Sequence, residues 1–417
     1  MFSLRALAAA LRVYAVGIAV ALAQLLRRLR GDFQPPDLPP QPGRVAVVTG
    51  GAEGIGLSTA RRLARLGMRV VVAGNDERKG RAAVDVIRAE SGADSAHFLF
   101  LELASLASVR RFVREFEASG RPLHVLVNNA GVMLEPRGET EDGFERHAGV
   151  NFLGHFLLTL LLLPALRASG RPGRGSRVVT LGSATHRVAG LDPRDLRGRL
   201  PYSAHAAYAG SKLALALFAL RLQRLLDARG DPVTSNLADP GVADTALYRH
   251  AWAGLRAARR ALGRLAFKTP DEAAWTPAYA AAAAELEGVG GRYLYDEAEA
   301  EPAEAARNRA LQRALWAEAC RATGLEDETA GCVCEAGRGR AGPGRALSGP
   351  LSRFLWDGRA WAAPGLCLRV LGPLPVHKTH FLSTKSHFPS PRPAFPAAPT
   401  PGSRPAPRGS ARIPQNR

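Results

Sequence analysis

Tyr208-Ala209-Gly210-Ser211-Lys212 sets a phenol and an ammonium four residues apart. On a helix that spacing puts both on one face, about one turn from each other. A phenol with its ordinary pKa of about 10 is a poor acid–base catalyst, and a neighbouring cation moves that value toward neutrality. The pair suits proton transfer to or from an oxygen atom. The same spacing is common on amphipathic surface helices, so the reading depends on what accompanies it. Three further stretches stand out: Thr180-Leu181-Gly182-Ser183, Asn128-Asn129-Ala130-Gly131, and Pro240-Gly241 with Thr245 close behind.

A fourth stretch is the glycine-rich "TGGAEGIG", Thr49 to Gly56, which follows the apolar run Val45–Val48. Side chains at Gly50, Gly54 and Gly56 would obstruct a pyrophosphate approaching the main chain, or demand unfavourable φ values. The helix that follows would turn its unpaired N–H groups and positive end toward the phosphates. A glycine-rich turn without a ligand is the plainer alternative.

These stretches need a frame. Apolar runs at Arg44–Thr49, Arg69–Gly74, His97–Leu101, His124–Asn128, Ser176–Leu181, Thr234–Asp239 and Arg292–Tyr295 read as strands. Helical patterns such as Arg78–Glu90 and Ala206–Ala228 separate them, and Asn308–Thr323 also reads as a helix. Buried runs alternating with crossover-length helices specify an α/β fold: a Rossmann-type, doubly wound parallel sheet of about seven strands with helices on both faces. Each stretch above then falls at the carboxyl end of a strand or on the helix after it, where such sheets bind ligands.

In this order the motifs resemble the short-chain dehydrogenase/reductase family over roughly Arg44 to Tyr295. "NFLGHFLLT" (Asn151–Thr159) and the long interval from Ser183 to Tyr208 resemble its retinol-dehydrogenase-like branch. The stretches "ALRVYAVG", "AQLLRR", "FKTPDEAAW" and "ELEGVGGRYLY" strengthen the likeness within that branch. The resemblance implies an NAD- or NADP-dependent oxidoreductase that interconverts an alcohol and a carbonyl. It implies that Tyr208 is the acid–base, that Lys212 perturbs it and holds the nicotinamide ribose, and that Ser183 orients the substrate oxygen. Asn151, in a helix expected from about Thr140, would hold a local distortion that binds a relay water. Cofactor contacts carry over to Thr49, Gly50, Gly54, Ile55, Gly56, Asn75, Glu102, Asn128, Ala130, Gly131, Tyr208, Lys212, Pro240, Gly241 and Thr245. Gly182 stands where the family often has a second serine, and Glu102 replaces its usual aspartate. Asn75 is neither the acid of an NAD site nor the arginine of an NADP site. Use of both dinucleotides is consistent with Asp76 and Glu53 lying beside Arg78 and Lys79. His147, His155, His186 and His205 lack metal-like spacing and are read as structural.

The 417 residues carry a net charge of +19, of which +11 falls between Gly331 and Arg417. That distribution argues against a basic patch on a folded surface, and no specific nucleic-acid partner is expected. The tail is read as a disordered, solvated extension. All four cysteines, Cys320, Cys332, Cys334 and Cys367, lie near or in it, without disulfide or zinc spacing. At the other end, residues 1–30 hold an apolar stretch from Ala6 to Leu26, long enough to span a bilayer. A retained membrane anchor, a signal peptide cleaved after Ala21-Leu22-Ala23, and a packed helix are the three readings. The Arg27, Arg28, Arg30 cluster favours the first, because basic residues resist translocation. A proline-rich linker (31–43), a catalytic domain (44–330) and the tail (331–417) complete the expected organisation.

The expected substrate is a lipophilic isoprenoid, either a retinoid or a polyprenoid. The segments Ser183–Tyr208 and Thr245–Thr269 are expected to line its entrance. The expected location is the endoplasmic reticulum or a lipid droplet, with the catalytic domain facing the cytosol. The competing reading is a secreted or tethered binding protein that kept the fold and lost catalysis. Oligomeric state stays open.

Overall fold

The computed structural model describes residues 4–31, 33–245 and 266–325. The basic tail, Cys332, Cys334, Cys367 and most of the Thr245–Thr269 segment lie outside them.

Eight strands form one sheet: β1 (Val45–Thr49), β2 (Arg69–Gly74), β3 (Ala96–Phe100), β4 (Val125–Asn128), β5 (Ser176–Leu181), β6 (Val233–Asp239), β7 (Tyr293–Tyr295) and β8 (Ala298–Ala300). Their spatial order is β3-β2-β1-β4-β5-β6-β7-β8, with every pair parallel except β7–β8. β1, β4, β5, β6 and β7 are buried at every residue, as the unbroken apolar runs require of a sheet covered on both faces. Chain direction across the sheet reverses between β1 and β4, which opens a crevice at their carboxyl ends.

The expected count of about seven strands is short by one. Asp296 and Glu297 take positive φ, +51° and +60°, and close a two-residue hairpin into β8. Aspartate tolerates that conformation but glutamate does not favour it, and Ala-Glu-Ala has little strand propensity, so the residue types alone do not announce the hairpin. The turn is held by tertiary bonds: Asp296 pairs with Lys268 at 2.5 Å and with Arg27 at 2.8 Å, and Thr276 donates to Glu297 at 2.8 Å.

Helices α2 (Gly54–Arg65), α3 (Glu77–Ser91), α4 (Leu106–Ala118), α5 (Gly154–Ser169) and α6 (Ala204–Arg229) connect the strands. Their ends follow local chemistry. Asp76 caps α3, Ser105 caps α4 and Ser203 caps α6, and α6 stops at Gly230 in the left-handed region. The helix expected from Thr140 begins later, because Thr140 to Glu145 form a turn in which Thr140 N–H donates to the Phe144 carbonyl at 2.8 Å and Phe144 N–H to the Thr140 hydroxyl at 3.2 Å. Before α5 the chain widens into a π-helical turn, Ala148–Leu153. A helix capped by Asn308, Arg309–Thr323, lays Trp316 against Phe156 and Phe218 of α5 and α6.

The N-terminal helix α1 (Leu4–Arg30) lies against this body. Val16 and Val20 join the main core. Tyr14 meets His205 at 2.9 Å, and Arg28 pairs with Glu272 at 2.7 Å. The buried Gln24 amide makes two bonds to Val242, donating to its carbonyl at 3.1 Å and accepting from its N–H at 2.9 Å. Between Leu7 and Leu26 every exposed residue of α1 falls on one stripe, Leu7, Leu11, Ala15, Ile18, Leu22 and Leu26. The steps of three and four residues define a single helical face. The Pro-rich segment after α1 is tied down as well, with Gln41 donating through its backbone to Leu66 and through its side chain to Ala282.

Candidate active site

At the crevice lies a cavity of about 790 Å³. Ser183, Tyr208 and Lys212 all line it. So do Thr49, Gly50, Gly54, Ile55, Gly56, Asn75, Glu102, Ala130, Gly131, Pro240, Gly241 and Thr245. Two of the expected site residues, Asn128 and Asn151, do not.

The glycine loop is fixed from below by Thr49. Its hydroxyl accepts from the N–H groups of Asn129 and Ala130 at 2.9 and 3.0 Å. It also meets His155 Nε2 at 2.9 Å, while His155 Nδ1 faces the Asn151 carbonyl at 2.8 Å. A carbonyl only accepts, so Nδ1 carries the proton and Nε2 takes the Thr49 hydrogen. Burial holds His155 down to about 4, so the ring is neutral at pH 7. His155 thus joins β1 to the π-helical turn, a structural task.

Gly50 and Gly54 have φ of +61° and +57°. A Cβ on Gly56 would overlap the Gly50 carbonyl and the side-chain nitrogen of Asn129. That nitrogen donates to the Thr49 carbonyl at 2.7 Å. The loop is therefore a cradle that side chains would fill, opening onto the N-terminus of α2, and it fits the pyrophosphate of a dinucleotide. Asn129 supports it, whereas Asn128 points into the layer beneath and donates to Thr159 at 2.8 Å. The assignment of Asn128 as a cofactor contact is corrected to a structural role. Adjacent strand residues point to opposite faces, and the dipeptide Asn-Asn leaves open which of the two meets the loop.

At the ends of β2 and β3, Asn75 donates to Glu102 at 2.7 Å, and Glu102 also accepts from Ala104 N–H at 2.8 Å. Asp76 is occupied as the cap of α3. Glu53 pairs with Lys79 at 2.8 Å. Of the charges that would choose between NAD and NADP, Glu53 and Lys79 are thus tied to one another.

Lys212 is buried in α6 and donates to the Leu181 carbonyl at 2.9 Å. Burial lowers its pKa to about 8, against the opposing pull of Asp239. Asp239, at the end of β6, is buried as well, and burial raises it above the usual carboxylate range. It accepts from Tyr293 hydroxyl at 2.7 Å and from Gly241 N–H at 2.9 Å. Sequence reading missed Asp239, although its place directly before Pro240-Gly241 was a signal. Ser183 stands in extended backbone as the cap of a short 3-10 turn, Ala184–Val188, and its oxygen accepts from Thr185 hydroxyl at 3.0 Å. Tyr208 packs with Met133 and Leu134, and its ring lies 6.3 Å from that of His147.

Asn151 sits inside the π-helical turn, fully buried. Its side chain accepts from Val132 N–H at 2.8 Å and donates to the Val132 carbonyl at 3.0 Å and to Ser211 at 2.9 Å. It ties the distortion both to the loop after β4 and to the middle of Tyr208-x-x-x-Lys212. The other histidines also have protein partners: His147 meets Glu145 at 2.7 Å, and His186 accepts from Ala303 N–H at 2.9 Å.

The second wall of the cavity was not foreseen. Val13, Tyr14, Val16, Gly17, Ile18, Val20 and Ala21 of α1 line it. Of the two expected entrance segments, Ser183, Ala184, Thr185, Tyr208, Thr245, Ala266 and Phe267 line it among the described residues.

Residues 44–255 match the family model described as short chain dehydrogenase. The chain is 75% identical to the polyprenol dehydrogenase of Mus musculus over 324 residues, which is 78% of this chain and 97% of that protein. It is 40% identical to human retinol dehydrogenase 13 over 317 residues, 75% of this chain and 94% of the relative. Among solved structures, an uncharacterized protein from Mycobacterium paratuberculosis superimposes with a TM-score of 0.56 at 34% identity, over 69% of this chain and 96% of its own. The chain belongs to the short-chain dehydrogenase family, an oxidoreductase family that uses a nicotinamide dinucleotide to act on CH–OH groups.

Proposed function

We propose that the protein transfers hydride between NAD or NADP and a lipophilic isoprenoid, interconverting a polyprenoid or retinoid alcohol and its carbonyl compound. One observation carries the reading: the polar triad Ser183, Tyr208 and Lys212 and the apolar face of α1 line the same cavity. The printed names of the polyprenol and retinol relatives support the substrate class.

In this reading Tyr208 takes the hydroxyl proton during oxidation and returns it to the carbonyl oxygen during reduction. Ser183 donates to that oxygen and sets its position. Lys212 favours the phenolate by its charge, and its remaining N–H groups would hold the nicotinamide ribose. Asn151 acts one step removed, by holding the backbone between Val132 and Ser211. The dinucleotide, held by the glycine cradle, supplies the redox chemistry. Both dinucleotides serve, because Asn75 is neither the acid of an NAD site nor the arginine of an NADP site, and Glu53 and Lys79 neutralise one another. The enzyme works at the surface of the endoplasmic reticulum or a lipid droplet, with its catalytic domain in the cytosol. Protease protection of intact organelles tests that location.

The test of the reaction is turnover by purified full-length protein, with each dinucleotide separately, on retinoid and polyprenoid alcohols and aldehydes. Turnover of at least one of these lipids is expected. Turnover of small carbonyls alone would overturn the substrate class.

A further inference from the structure

We infer that α1 lies flat in one phospholipid leaflet and does not cross it, so that a single helix forms both the membrane contact and a wall of the substrate chamber. The inference adds a membrane geometry to the proposed reaction and rests on that reading only for the route of the substrate.

Three observations lead there. First, α1 is bonded to the domain between Tyr14 and Arg28, at Tyr14, Gln24, Arg27 and Arg28. Only ten residues of α1, Leu4 to Val13, precede Tyr14. At about 1.5 Å each they reach about 15 Å, half of a hydrocarbon core of about 30 Å. Spanning would require α1 to leave the domain, stranding Gln24 in lipid and opening the chamber. Second, the outer face is a continuous apolar stripe from Leu4 to Leu29. Of the eleven large apolar side chains exposed among the described residues, seven stand on it. Third, α1 carries no acid, and the exposed Arg5 and Arg30 stand at its two ends, which matches phosphate headgroups along a helix lying in the surface.

A helix placed this way brings the chamber mouth to the level of the acyl chains. A long apolar alcohol then passes from the leaflet to Tyr208 without crossing water, a step that would otherwise expose its whole chain.

The experiment uses full-length protein, vesicles of neutral and anionic phospholipid, and oil droplets coated with a phospholipid monolayer. The protein is expected to float with both, since a monolayer accepts a flat helix and excludes one with charged ends on both sides. Leu11→Asp with Leu22→Asp is expected to reduce flotation, and turnover of a vesicle-held long-chain alcohol, at least about tenfold. Turnover of a short water-soluble alcohol should stay within about twofold of the parent. Leu7→Trp, Ala15→Trp and Leu29→Trp should report one shallow depth by brominated-lipid quenching above the parent signal. Binding to vesicles but not droplets, a depth profile reaching the bilayer centre, or undiminished flotation of the double variant overturns the inference. Loss of short-alcohol turnover in that variant also overturns it, since the stripe would then serve internal packing. If the parent floats with a flat depth profile yet turns over no lipid alcohol, the proposed substrate fails and the flat helix stands.

Discussion

The two walls of the cavity are built on different principles. The wall made by β1, β2 and β4 is backbone: a glycine loop in positive φ, seated on Thr49 and Asn129, opening onto α2. The wall made by α1 is side chain: an apolar face held in place by Gln24, Arg27 and Tyr14 from far along the sequence. The first kind tolerates almost no added atom. The second can change its lining residue by residue while its anchor bonds persist. On the proposed reading, one half of the site fixes the cofactor and the other sets what meets it.

Substitutions that harm one wall and spare the other test this division. The largest effect is expected at the line between them. Tyr208→Phe should lower kcat by about 10²–10⁴-fold while leaving dinucleotide affinity, read by fluorescence titration, unchanged. Next comes Gly56→Ala, where the new methyl meets the Gly50 carbonyl and Asn129. Overpacking of this kind costs about 1–3 kcal/mol, to be seen as weaker dinucleotide binding and a lower Tm. Gln24→Ala removes both bonds to Val242 and should raise KM for long-chain alcohols by about tenfold, with dinucleotide affinity intact. If both affinities fall together, the two walls are not separable.

A smaller effect concerns pH. Lys212 is charged below about 8 and loses its charge above it. Asp239 favours the charged form, so Asp239→Asn lowers the lysine pKa further. The loss of rate on the alkaline side should then begin at lower pH, as a pH–kcat profile would read, and a shift to higher pH would contradict the coupling. The smallest expected effect is Glu53→Gln, which frees exposed Lys79 for a 2′-phosphate and should raise the NADP-to-NAD ratio of kcat/KM by about two- to fivefold.

The sequence alone determined the alternation of buried strands and covering helices, and with it the glycine cradle, Ser183, Tyr208 and Lys212. These are local facts: a run of valines, a glycine where φ must be positive, a phenol one helical turn from an ammonium. It also marked α1 as apolar and basic at its ends. Tertiary structure alone decided that Asn129 and not Asn128 supports the loop, because that depends on which side of the sheet each side chain takes and what packs there. It decided that Asp296 and Glu297 turn into an eighth strand, since the turn is held by Arg27, Lys268 and Thr276 and not by its own residue types. And it decided that α1 closes the cavity. Hydrophobicity is non-directional, so an apolar helix suits lipid and protein equally; the specific bonds of Gln24, Tyr14 and Arg27 choose the face and the partner.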